Sequence, residues 1–425
     1  MVSSVRPAAL QQPWMVAAVA IALLFLRMPE RLIDGFLWAE DGRIFLHDAY
    51  AAGTASLLWP YAQYLHLLPR LIAWSVSKLC YIDQVARPLA WICALATGAG
   101  CACLFAFARR RFSLPAAWAF ALTPLLIPHG GEVWLTITNL QWVTAPVLLV
   151  LLWDAFCSPA SAPRQPGTAA VRDTAIVVLT LTGPFGLLFS PLAVAGLAAT
   201  RRVPRSRRAW IAIAAYAVAA GAQLATILGN PAPPLPAGMA ARPPLGVWLH
   251  YPWKGQFLHY MVLEFVLPFA WTDALGEAWK IAAVAVALPF AACLSLAGQT
   301  HRLAAAGLFA LAAGLWIIGV IRVGIPDLDI KWHPGGRYLY IPFIAMAWSL
   351  LIIRETTPRP GAKALAGCLL SMVLLNSLLN FHAIVWQDHG LVYSHDTATW
   401  LLRLPPSADW SIPVRPAWTS PPQPP

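Results

Sequence analysis

The chain has 425 residues, 59% of them hydrophobic and 11% charged, too few charges to give a soluble protein of this length a polar surface. Its net charge of +11 would suit nucleic acid, but the basic residues fall in clusters beside apolar runs, which is the pattern of a membrane topology. A soluble enzyme and a nucleic-acid-binding module are thereby excluded, and the expected class is an all-α, polytopic transmembrane helical bundle.

The first apolar run, Trp14 to Met28, has no small-residue cleavage site after it and reads as a retained helix. Further along, Arg109-Arg110-Arg111, then Arg201, Arg202, Arg205, Arg207 and Arg208, then Arg354, Arg359 and Lys363 mark the cytoplasmic side. Between these clusters, apolar segments of roughly 17–25 residues predict helices over 14–28, 86–108, 113–128, 135–155, 208–229, 278–297, 303–321, 338–354 and 363–381. The run 173–200 has cytoplasmic flanks at both ends and a Gly183-Pro184 break, so it predicts two short helices. The total is about eleven crossings, with the N-terminus inside and the C-terminus outside.

Counting segments 64–80 or 256–271 as single crossings would put a basic cluster on the wrong side. Both are expected to be juxtamembrane helices lying on or dipping into the outer face, with Arg70 and Lys78 snorkelling. The predicted organisation is a transmembrane domain over 1–381 with outer loops 29–85, 129–134, 230–277 and 322–337. A tail over 382–425 follows on the outer face and ends in Pro-rich coil. The seven Cys mostly sit inside apolar segments. Cys101-Ala-Cys103 has neither redox nor zinc spacing, so these residues read as small buried hydrophobes.

The polar chemistry gathers in the outer segments. In "FLWAEDGRIF", Glu40 and Asp41 follow Phe36-Leu37-Trp38, which places them near headgroup depth. Adjacent helical residues point about 100° apart, so one can face a cavity while the other orients it. A carboxylate in low-dielectric surroundings has a raised pKa and suits general-base work on a hydroxyl; a loop salt bridge with Arg43 is the competing reading. His47-Asp48 is a second polar pair, and Tyr61, Tyr64, His66 and Arg70 lead into the interfacial helix. The spacing of His66 and Arg70 can place both where an anionic headgroup would lie.

Glu132, in "PHGGEVWLTITNLQW", either caps the helix that follows or brings a second carboxylate over the cavity of Asp41. Asn139 and Gln141 lie in the next helix, where amides usually bond neighbouring helices. In "RVGIPDLDIKWHPGGRYLYIP", Lys331, His333 and Arg337 are cationic donors beside Gly335-Gly336, with Trp332, Tyr338 and Tyr340 as aromatic neighbours. Such a set suits a lipid phosphate, or an ordinary contact with anionic lipid.

An acidic pair just after the first helix, a juxtamembrane helix and an acid in the next outer loop resemble the GT-C superfamily of integral-membrane glycosyltransferases. Within it, "WAEDGRIFLHDAY…PYAQYLHLLPR", "GEVWLTITNLQW", "TGPFGLLFSP" and "GGRYLYIP" resemble a bacterial multi-spanning family, over roughly residues 30–340. The resemblance implies a polyprenyl-phosphate-linked sugar donor and an envelope glycan, lipid or protein acceptor. It also implies a bacterial inner-membrane location with the site on the outer face. The first-loop acid, the base on the acceptor hydroxyl, maps to Asp41 with Glu40 beside it, and the second-loop acid to Glu132. The order here is Glu-Asp where relatives show Asp-Asp or Asp-Glu, which leaves open which acid is the base. The large soluble outer domain of some relatives is missing, so acceptor binding falls to loops such as 230–277.

The expectation is therefore an inverting glycosyltransferase with Asp41 as base and Glu40 or Glu132 orienting the acceptor. Arg337, Lys331, His333 and Tyr338, with Arg70 and His66, would hold the lipid phosphate among membrane lipids. No cofactor is expected; Glu40, Asp41 and Glu132 could ligate a divalent metal, but a phosphate leaving group surrounded by cations does not require one. The rivals are a transporter or lipid or polysaccharide flippase, with ionisable residues deep in mid-helix, and a non-catalytic scaffold of envelope-polymer assembly.

Overall fold

A computed structural model describes residues 12–38, 40–157, 166–200, 207–230, 245–323, 336–382, 390–394, 399–402 and 410–412. The described chain is predominantly helical. This follows from composition, because a helix satisfies its backbone N–H and C=O groups within one segment, as a hydrocarbon environment demands. Six described helices are long and apolar enough to cross a membrane: Ala86–Ala108, Trp210–Gly229, Gly276–Leu296, Arg302–Arg322, Arg337–Thr356 and Pro360–Leu379. The apolar helices Pro13–Arg27, Leu114–Leu126, Leu140–Phe156 and Phe185–Ala195 are shorter, at 10–17 residues.

Two expected helices take a different form. The one expected from 135 begins at Leu140, because Leu135 has φ +62° and the loop before it bonds elsewhere. Arg31 Nη1 donates to the Trp134 carbonyl and the Thr138 N–H donates to Asp41. Segment 256–271 is a chain of short turns, Trp253–Gln256, a π-helical Phe257–Leu263, Glu264–Val266 and Phe269–Ala274. Pro252 and Pro268 bracket it. The Asn376 side-chain amide also takes the carbonyls of Glu264, Phe265 and Leu267, which a continuous helix would bond internally.

The chain divides into two compact units. The first comprises Met1–Arg27, Cys101–Glu132 and Pro234–Trp386. Its central element is the helix Arg337–Thr356, buried continuously from Leu339 to Leu351. Trp348 stacks on Phe120 with ring centroids 4.0 Å apart and donates its indole N–H to the Phe120 carbonyl. Ser349 Oγ donates to the Ala305 carbonyl.

The second unit comprises Met28–Gly100, Val133–Pro233 and Gln387–Pro425. Its core holds the helix Leu140–Leu152, buried almost throughout. Gln223, 0% exposed within the helix Arg207–Gly229, ties three segments together. Its amide reaches the carbonyls of Leu65, Thr180 and Gly183, and its oxygen accepts the Leu65 N–H. A buried amide in a long apolar helix is stable only when satisfied in this way.

This unit also contains a four-stranded antiparallel meander that the sequence did not suggest. Strands Gly390–Ser394, Thr399–Leu402 and Trp410–Ile412 pair in order, and the first pairs with Leu37–Trp38 through Leu37↔Leu391 and Trp38↔Gly390. The tail therefore reaches the strand directly ahead of the acidic pair.

Candidate functional site

In the second unit the acidic pair opens a π-helical turn, Asp41–Leu46. Asp41 is fully buried. Its Oδ1 accepts the Thr138 N–H at 2.8 Å and the Thr138 hydroxyl at 2.6 Å, and its Oδ2 accepts the Trp38 N–H at 3.2 Å. Burial pushes its carboxyl up to about 7, against the pull of these donors, and the neighbouring Glu40 adds to the rise. Arg31, buried in the same unit, stacks on the Phe36 ring at 3.7 Å. Burial lowers its pKa to about 9, with Asp41 opposing the change.

Glu40 differs from its neighbour. It is partly exposed; one oxygen lies 3.5 Å from the Tyr61 hydroxyl, which donates to it, and the other is buried without a hydrogen-bond partner. Both carboxylates sit in one short turn, yet only Asp41 is fully committed to the fold.

Downstream of this pair, Arg70 lies on the buried face of the helix Leu67–Leu79. It donates from Nη1 to Asp48 Oδ2 at 3.0 Å, with its side chain 1% exposed. The expected snorkelling Arg70 is thus an internal ion pair, whereas Lys78 is exposed. His47 Nδ1 approaches the other Asp48 oxygen at 3.5 Å. His66 is 1% exposed and lies among rings: Tyr64 at 4.6 Å, Phe45 at 5.4 Å and Tyr61 at 5.7 Å between centroids. Burial and the Arg70 charge lower its pKa to about 3, so the imidazole is neutral.

Tyr61 and Tyr64 exchange backbone hydrogen bonds at 3.0 and 3.1 Å across a two-residue turn. Both turn residues are left-handed, Ala62 with φ +50° and Gln63 with φ +79°, the signature of a type I′ hairpin turn. Gln141 Nε2 approaches the Tyr64 hydroxyl at 3.4 Å. Behind Gln141 lies Gly183, at φ +117°, where any Cβ would collide with the Gln141 side chain. Only glycine fits that close approach. Residues from "PYAQYLHLLPR", "TITNLQW" and "TGPFG" therefore meet in one polar and aromatic cluster.

In the first unit, Glu132 is 1% exposed and Arg337 27% at the side chain. Glu132 Oε1 accepts from Arg337 Nη1 at 2.7 Å and Oε2 from the Arg337 N–H at 3.2 Å. Glu132 thus caps the helix Arg337–Thr356. The Arg337 guanidinium also lies 5.5 Å from the Tyr338 ring centre. His129 packs edge-on against Tyr340 at 5.4 Å, and burial with the Arg27 charge lowers its pKa to about 3. Lys331 and His333 lie outside the described residues.

Sequence reasoning missed Thr138, Gln223 and the pair formed by Glu264 and His259, whose Nε2 is 3.3 Å from the buried carboxylate. Polar residues inside apolar runs were the available signal. Among the described residues no group of three or more His, Cys, Asp or Glu could hold a metal ion. Of the expected site residues, Glu40, Asp41, His66 and Arg70 belong to the second unit, and Glu132, Arg337 and Tyr338 to the first. No protein-family model and no curated protein sequence matches this chain.

Proposed function

We propose that the protein is a glycosyltransferase of the bacterial inner membrane, carrying a sugar from a polyprenyl-phosphate-linked donor to an envelope acceptor on the outer face. The observation that carries this reading is the contrast within the acidic pair. Asp41 uses both oxygens inside the fold, while Glu40 keeps one oxygen without a partner. Glu40 is therefore the better-placed general base, and Asp41 the group that holds its loop; the resemblance had mapped the base to Asp41, while the order of the two acids left the choice open.

Glu40 takes the proton of the acceptor hydroxyl. The acceptor oxygen bonds to the anomeric carbon as that carbon's bond to the phosphate oxygen breaks. The electron pair leaves with polyprenyl phosphate, and the configuration inverts. Arg337, Lys331 and His333 are the cationic set that the sequence offers for the leaving phosphate. About eleven crossings with a cytoplasmic N-terminus belong to the same reading, on the strength of the basic clusters.

The test is sugar transfer by the purified protein in nanodiscs from a series of polyprenyl-phosphate sugars. Glu40→Gln should lower turnover by about 10²-fold or more with donor binding nearly intact. Full turnover in that variant sinks the base assignment. Failure of the unmodified protein to transfer any sugar offered sinks the enzymatic reading.

One observation favours a transporter instead. The Glu264 carboxylate, 1% exposed and paired with His259, is the kind of buried ionisable pair that proton-coupled carriers use. Uptake of sugar or lipid-linked glycan by proteoliposomes, driven by a pH gradient and lost in Glu264→Gln, would support that reading.

A further inference from the structure

We infer that the Tyr61–His66 segment, with Glu40, Arg70 and Gln141, forms a binding site for an uncharged polyhydroxylated ligand, a sugar ring, and not for a phosphate. The first observation is a concentration of orphaned polar atoms. Glu40 Oε2, Arg70 Nε and Gln141 Oε1 are buried without a hydrogen-bond partner, and the buried His66 ring has only the Tyr61 backbone to bond, which leaves one ring nitrogen open. Each such atom costs about 1–3 kcal/mol when left unmade, so folded proteins rarely gather several unless something completes them. These residues are neighbours. Tyr61 meets Glu40, Gln141 meets Tyr64, His66 lies against both tyrosines, and Phe45 touches His66 and the Arg70 guanidinium.

The inventory of these atoms identifies the chemistry. Glu40 Oε2, Gln141 Oε1 and the open nitrogen of a neutral His66 accept, and Arg70 Nε–H donates. A hydroxyl donates and accepts, so several hydroxyls on one ring can meet this mixed set. An ionised phosphate is chiefly an acceptor and would find more acceptors than donors here.

Charge points the same way. Arg70 is compensated by Asp48 at 3.0 Å and the buried His66 ring is neutral, so neither offers an anion an uncompensated positive charge. The half-buried rings of Tyr61 and Tyr64 offer aromatic surface that the C–H faces of a sugar can cover.

The backbone supplies an independent observation. Two consecutive non-glycine residues, Ala62 and Gln63, are left-handed, a cost of about 1–3 kcal/mol each. The turn is held by Gln63 Nε2 donating to the Asn230 carbonyl and by Gln223 clamping Leu65. Strain over-determined in this way collects at ligand sites, and here it fixes the two tyrosines that flank His66. His66 and Arg70, expected from sequence to meet the lipid phosphate, are thereby assigned to the sugar. That this sugar is a reactant rests on the function proposed above; the binding site does not.

The protein in nanodiscs, with labelled histidine and the His66 ring signals assigned through His66→Gln, is titrated with inorganic phosphate and with methyl glycosides of glucose, galactose, mannose, arabinose and N-acetylglucosamine. At least one glycoside should shift the His66 signals saturably, phosphate should not, and Gln141→Leu should weaken glycoside binding about tenfold or more. If Gln141→Leu does not fold, thermal stabilisation of the unmodified protein by the same glycoside, absent with phosphate, is the deciding measurement. A response to phosphate and to no glycoside overturns the assignment. Silence to all of them overturns it too, and leaves water to fill the site. Glycoside binding without sugar transfer would keep the site and end the glycosyltransferase reading; transfer with His66 silent to every glycoside would do the opposite.

Discussion

Glu132 and Arg337, 205 residues apart, meet through two hydrogen bonds at the first turn of the helix Arg337–Thr356. The carboxylate offsets both the Arg337 charge and the positive end of the helix dipole, and it satisfies an N–H with no partner inside the helix. Of the six long apolar helices described, this one is the most buried, so its starting point positions much of that core.

Replacing Glu132 by Gln keeps the volume but removes the charge and turns an amide toward a donor. The expected loss is about 2 kcal/mol, read as a lower melting temperature in detergent. An unchanged melt would mean that the helix end does not depend on this pair.

Asp41 should make stability depend on pH. Burial raises its carboxyl from 3.8 to about 7 in the folded protein. Between those values the folded chain holds a proton that the unfolded chain has lost. Its contribution is therefore complete below 3.8 and disappears as pH rises through about 7. The slope is at most about 1.4 kcal/mol per pH unit. Melting curves of the protein and of Asp41→Asn across this window should differ by an amount that shrinks as pH rises. A constant difference would contradict the burial effect.

The tail strand should hold the acid-bearing loop. Ending the chain at Trp386 removes the partner of Leu37 and Trp38. For a loss of 1–2 kcal/mol of local stability, amide exchange across residues 36–46 should quicken by roughly five- to thirtyfold. Peptides from the first unit should exchange as before. Equal protection at 36–46 with and without the tail would show that Asp41 and Thr138 hold the loop unaided.

The amino-acid sequence by itself determined the class of this protein. Charge is too sparse for a soluble surface, and apolar runs of helix length recur along the chain, so transmembrane helices follow from local composition and backbone chemistry alone. The break at Gly183 was also legible, because glycine followed by proline interrupts a helix wherever it occurs. The acidic pair was visible as two carboxylates, but nothing local could say that Asp41 bonds Thr138 and is sealed while Glu40 remains partly exposed. Nor could it show that Ala62 and Gln63, neither of them a usual turn residue, would be forced left-handed. Arg70 read as an interfacial cation became a buried partner of Asp48, and residues 390–394 became the neighbour of Leu37–Trp38. Helix formation draws on hydrogen bonds within one segment, so the segment carries its own answer. Which carboxylate is buried, which cation is neutralised and which loop is strained depend on partners up to hundreds of residues away, and only chain closure in three dimensions brings those partners into reach.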